Sequence, residues 1–142
     1  MLVIRQEQFD AFKPAADESF ERRLAGHLGE KHPGAAVRLP ARTTVIGRLD
    51  EATLRGLVRA GIARARGYGL TSESGIASYV VTMFLVAPNF DEHPLVRRAL
   101  RDQKSPPDSR VERMLESVTA QNLRAMRAGY RPEAWHEEAR GS

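Results

Sequence analysis

Hydrophobic positions recur every three or four residues over most of the chain, the spacing of amphipathic helices. Phe9, Phe12, Ala16, Phe20, Leu24 and Leu28 form the first stripe, with Asp10, Asp17, Glu18, Glu21 and Arg22 on other faces. Pro14 interrupts it, so a helix either starts near Pro14 or kinks there, because proline suits a first turn and breaks an interior one. Gly29 and then His32, Pro33 and Gly34 end the pattern. Residues 34–48 show no convincing period and read as a loop. Val37 with Leu39, and Thr43 to Ile46, suit short extended pieces, but no partner strand is evident elsewhere and a sheet is not expected.

Asp50 is placed to cap a helix whose apolar stripe is Leu54, Leu57, Val58, Ile62 and Ala65, with Gly67, Tyr68 and Gly69 as its exit. Arg55, Arg59 and Arg66 fall on a neighbouring stripe and Arg64 on the flank. A second cap at residues 71–74 opens the most apolar helix, through Ile76, Tyr79, Val80, Met83, Phe84 and Ala87, which belongs at the centre of the core; Pro88 ends it. Pro94 suits the first position of a brief helix carrying Leu95, Val96, Ala99 and Leu100. One last long helix runs from Pro107 or Asp108 through Val111, Met114, Leu115, Val118, Asn122, Leu123 and Met126 to Gly129. The expected fold is therefore all-α, a single compact bundle or orthogonal helical domain of four to five helices over residues 1–129. Residues 130–142 form a tail, whose Trp135 either folds back or anchors a partner.

Composition narrows the class. The chain has 142 residues, 42% hydrophobic and 28% charged, with no cysteine, which is ordinary globular usage and excludes a disulfide framework, a thiolate metal site and a cysteine nucleophile. No apolar run reaches the roughly 20 residues of a membrane span, so a cytoplasmic domain is expected. The net charge of +4 is concentrated: residues 1–30 carry four basic and six acidic groups, residues 31–67 eight and two, and the remaining two stretches balance at four against four and six against six. Arginine supplies nearly all the basic charge, which suits bidentate pairing with carboxylate or phosphate.

Site chemistry is sparse. No phosphate-binding glycine loop, HExxH pair or GxSxG elbow occurs, and the four histidines are scattered. Asp91, Glu92 and His93 could offer ligands to a cation, but consecutive loop side chains rarely converge, and capping of the next helix by Asp91 or His93 explains them more simply. Carboxylate pairs among Asp10, Asp17, Glu21 and Glu73 read as a solvated face. No cofactor, metal or catalytic residue is assigned. Arg48, Arg55, Arg59 and Arg66, with Trp135, are the candidate partner-binding residues; pairing with the acidic first helix is the competing explanation for the arginines.

The run from Arg66 through Tyr68, Gly69, Leu70, Thr71 and Glu73 to Tyr79 and Met83, followed by Asn89-Phe90-Asp91-Glu92-His93-Pro94-Leu95, resembles a small bacterial helical family of uncharacterised proteins. The opening Ile4-Arg5-Gln6-Glu7-Gln8 is similar too. Such proteins are commonly encoded near type VI secretion, contractile-injection and toxin genes. The resemblance covers most of residues 1–120, departing in a longer basic loop at 34–48 and in the absence of tryptophan after Pro94. It implies a setting rather than a reaction: a non-enzymatic adaptor, chaperone or immunity-type partner of such a system. The alternative is a nucleic-acid-associated protein using the arginines of residues 38–66.

Overall fold

The computed structural model describes residues 9–10, 13–15 and 17–137; Phe12, Ala16 and the opening residues 4–8 lie outside them. The chain is mostly helical, as its periodicity predicts, but the described residues form six α-helices rather than four or five, and one two-stranded sheet. The helices are α1 (Asp17–Lys31), α2 (Glu51–Gly67), α3 (Glu73–Leu85), α4 (Pro94–Leu100), α5 (Pro107–Ser117) and α6 (Ala120–Ala128). No described helix is long and apolar enough to cross a membrane.

Local chemistry sets most boundaries. Asp50 accepts from the Thr53 amide at the start of α2, and Ser72 from the Gly75 amide at the start of α3, each satisfying an amide that the helix itself leaves unpaired. Between them Gly69 takes φ +91°, a conformation that glycine adopts without a steric penalty. His93 caps α4 through Nδ1, with Pro94 in the first turn.

Two expectations need correction. Val37 and its neighbours do find a strand partner: β1 (Ala36–Arg38) pairs antiparallel with β2 (Thr43–Val45), Ala36 opposite Val45 and Arg38 opposite Thr43. The partner is the adjacent extended piece, joined by a turn in which Leu39 N–H donates to the Arg42 carbonyl at 2.7 Å. The single long C-terminal helix is two, because Thr119 and Asn122 form a reciprocal capping box that starts α6 afresh. Taking Asn122 into the stripe between Val118 and Leu123 hides that break.

Helix α3 is the axis of the molecule. Every residue from Glu73 to Phe84 is buried, with α2 and α5 packed on it and α1 on α2. The segment before α1 runs antiparallel to the α2–α3 turn, Ala15 N–H donating to the Thr71 carbonyl and Glu73 N–H to the Lys13 carbonyl. Phe9 is buried edge-on against Phe20 and His27. After α6 the chain returns over the core through a 3-10 turn at Pro132–His136.

Candidate functional site

The predicted arginine stripe is largely engaged within the chain, although Arg59 and Arg66 stay exposed. The buried Glu21 carboxylate of α1 receives Arg55 from Nε at 3.0 Å and a terminal nitrogen at 2.6 Å, and Arg59 from Nε at 2.7 Å. Burial by itself raises the Glu21 pKa, but hydrogen bonds and charge from Arg59 and Arg55 outweigh it and hold the group below the ordinary value. Arg66 donates to the Ala15 carbonyl at 3.0 Å, tying the leading segment to α2. Arg48 alone of the four has neither an ion pair nor a side-chain hydrogen bond among the described residues, and it is exposed. The acidic first helix thus pairs with α2 at Arg55 and Arg59.

Two placements differ from expectation. Arg64 does not lie on a solvent flank: it is fully buried, donating to Asp91 Oδ1 at 3.1 Å and to the Ala134 carbonyl at 2.9 Å, while Tyr68 Oη donates to Asp91 Oδ2 at 2.6 Å. Trp135 is no surface anchor either. Its ring is fully buried against Phe84, 4.7 Å between centroids, and its Nε1 donates to Tyr130 Oη at 2.9 Å.

The resemblance motif falls into the same internal wiring. Tyr68 and Asp91 belong to the Arg64 network. Both terminal nitrogens of Arg23 pair with the buried Glu73 carboxylate, one at 3.0 Å, and that hydrogen bonding keeps the Glu73 pKa low against the opposing effect of burial. Thr71 and Ser72 amides donate to Asp108 Oδ1 at 2.7 and 2.8 Å. Phe90 is buried with its ring centroid 4.9 Å from that of Tyr79. Asp91, Glu92 and His93 go three separate ways, to Arg64, to Arg131 and to the α4 cap. Among the described residues no three His, Cys, Asp or Glu side chains gather for a metal ion.

Counting charge along the sequence missed a different surface. Residues 68–104 balance at four against four on paper, but Glu73, Asp91 and Glu92 are engaged by Arg23, Arg64 and Arg131. What remains facing water is Arg97, Arg98, Arg101 and Lys104 against Asp102 alone. Asp102 is itself held in a turn, accepting from the Lys104 amide at 3.0 Å and Ser105 Oγ at 3.2 Å. Arg98, Arg101 and Lys104 line a depression of about 700 Å³ between α4 and the end of α5, floored by the partly buried Leu95 and Ala99, with Arg97 beside it on α4. A basic rim over an apolar floor can recognise an anionic group and an adjoining apolar one together.

A smaller hollow of about 390 Å³ lies where Pro14, Thr71, Ser72, Asp108 and Glu112 meet. Its Asp108 carboxylate would be raised by burial, but the Ser72 and Thr71 amides prevail and lower its pKa. That group is occupied in joining α5 to the start of α3. Compared with known proteins, the chain matches no protein-family model, no curated protein and no solved structure.

Proposed function

We propose that this chain is a non-enzymatic protein-interaction module, acting as an adaptor, chaperone or immunity-type accessory of a bacterial type VI secretion or contractile-injection system. The observation that carries the interaction role is the α4–α5 corner, where exposed Arg98, Arg101 and Lys104 surround an apolar floor. The setting rests on the sequence resemblance. A nucleic-acid role for residues 38–66 draws less support, because Arg55, Arg59 and Arg64 are engaged with carboxylates and Arg66 with a backbone carbonyl. Arg38 lies over the Tyr130 ring at 4.1 Å.

The test is a photo-crosslinking amino acid at Gln103, an exposed position lining the depression, in cells that also express the neighbouring genes. The expected product is a discrete crosslinked protein encoded beside this one, absent when the label is moved to Arg42 on the hairpin. A chain that gives no crosslink at Gln103 but turns over a small metabolite when purified would overturn the proposal.

A further inference from the structure

Taking the chain to be an interaction module, we infer that the α4–α5 corner binds a short acidic segment of a different protein, with one apolar side chain of that segment seated on Leu95 and Ala99. The first observation is charge. Arg97, Arg98, Arg101 and Lys104 are exposed and have no side-chain hydrogen bond or ion pair among the described residues. The negative end of α4 offsets only about half a charge. Asp102 offsets one more, leaving a net positive corner. Arg97 and Arg101 are four residues apart and Arg98 and Arg101 three, so on one helix face these cations repel each other. An anionic partner relieves that repulsion, and the planar guanidinium suits carboxylate in bidentate geometry.

The second observation is the floor. Leu95 and Ala99 pack on the core while remaining partly exposed in a depression of about 700 Å³ that Ser117 also lines. A site for charge alone needs no such floor. A carboxylate-rich segment with one aliphatic or aromatic residue fills it and places its acids on the rim.

Nucleic acid fits less well. Among the described residues no aromatic side chain lines the depression for stacking bases, and a duplex backbone has nothing to place on an apolar floor. A second copy of this chain fits less well too, since among the described residues its exposed acids, from Asp10, Glu18 and Glu30 through Asp50 and Glu51 to Glu116 and Glu133, are spread over separate elements.

Fluorescence anisotropy with the purified full chain tests the inference, using three labelled probes. One is an eight-residue peptide of Asp and Glu around a central Leu, the second has Gly for that Leu, and the third is a twelve-base-pair DNA duplex. The Leu peptide should bind, and the Gly peptide should bind about tenfold more weakly through the lost apolar burial. Arg98→Glu with Arg101→Glu should weaken the Leu peptide by about tenfold or more. Arg42→Glu with Arg48→Glu makes the same charge change on the hairpin side and should leave binding within about twofold. All four positions are exposed, and unchanged emission from buried Trp135 verifies that each variant folds.

Equal binding of the Leu and Gly peptides, or of the wild type and the Arg98/Arg101 variant, would overturn the inference. So would a duplex that binds more tightly than the Leu peptide and is lost in that variant, which would make the corner a nucleic-acid surface. Should no peptide bind while Gln103 still crosslinks to a protein, the acidic-segment inference fails and the interaction module stands.

Discussion

Arg64 and Asp91 show how far one residue's environment can depart from its place in a pattern. Both side chains are fully buried, where an ion pair gains about as much from attraction as it loses in desolvation, while a single unpaired charge is severely penalised. Asp91→Ala leaves the Arg64 guanidinium without its carboxylate and Tyr68 Oη without the acceptor it reaches at 2.6 Å. The expected loss is about 3–5 kcal/mol, read from the urea midpoint of Trp135 emission. Arg64→Met combined with Asp91→Leu removes both charges and should recover at least half of that loss; a double variant no more stable than Asp91→Ala would show that the pair's charge is not what matters. Helical spacing put Arg64 beside the apolar stripe, on the flank. Nothing in the sequence shows that the chain after α6 returns over that flank, bringing the Ala134 carbonyl within 2.9 Å of it.

At the level of elements, two glycines should respond to the same substitution with opposite signs. A Cβ on Gly75 would stand 2.7 Å from Asp108 Oδ1 and 3.1 Å from its carbonyl oxygen. Asp108 there joins α5 to the start of α3, so Gly75→Ala must push that contact apart, at an expected cost of about 2 kcal/mol. Gly26, inside α1, has open space around the same added atom, and Gly26→Ala should raise stability by about 0.5–1 kcal/mol through helix propensity. Paired thermal melts decide it; a Gly75 variant as stable as the wild type would mean that α3 and α5 can separate freely. Thr119→Ala should cost about 1 kcal/mol by uncapping α6, with loss of helical circular dichroism from that segment first. The helix starts at Asp50, at residues 71–74 and at Pro94 were legible because each places a known chemistry at the head of an apolar stripe. The hairpin and the α5–α6 break were not, since three-residue strands carry too few positions to show a period and Thr119 interrupts no hydrophobic spacing.

Across the whole molecule, the asymmetry between an acidic start and a basic middle is partly neutralised at Glu21, while the exposed excess appears at the α4–α5 corner, in a stretch that looks balanced. Position along the chain was legible, but whether each charge is spent inside the fold depends on partners up to 50 residues away, as with Arg23 and Glu73. The same internal wiring predicts a two-stage response to acid. His27 lies with its Nδ1 buried and without a hydrogen-bond partner, between the rings of Phe9 and His32. Burial, then the neighbouring His32 and Lys31 charges, lower its pKa, against a smaller pull from Glu30; burial lowers that of His32. The unfolded chain therefore takes up these protons first, at an ordinary histidine pKa of about 6.5, and stability falls as pH drops below that value. Glu21, Glu73 and Asp108 also titrate below their ordinary values in the fold, so their contribution is complete above about pH 4.5 and is lost as pH falls through the lowered native values. Urea midpoints between pH 8 and 3 should show a first decline below about 6.5 and a steeper one below about 4.5. His27→Leu puts a group of ordinary core chemistry beside Phe9, and it should reduce the first decline, leaving the share of His32 and the whole of the second. An unchanged slope between pH 6.5 and 5 in that variant would place the first proton elsewhere and contradict the burial argument.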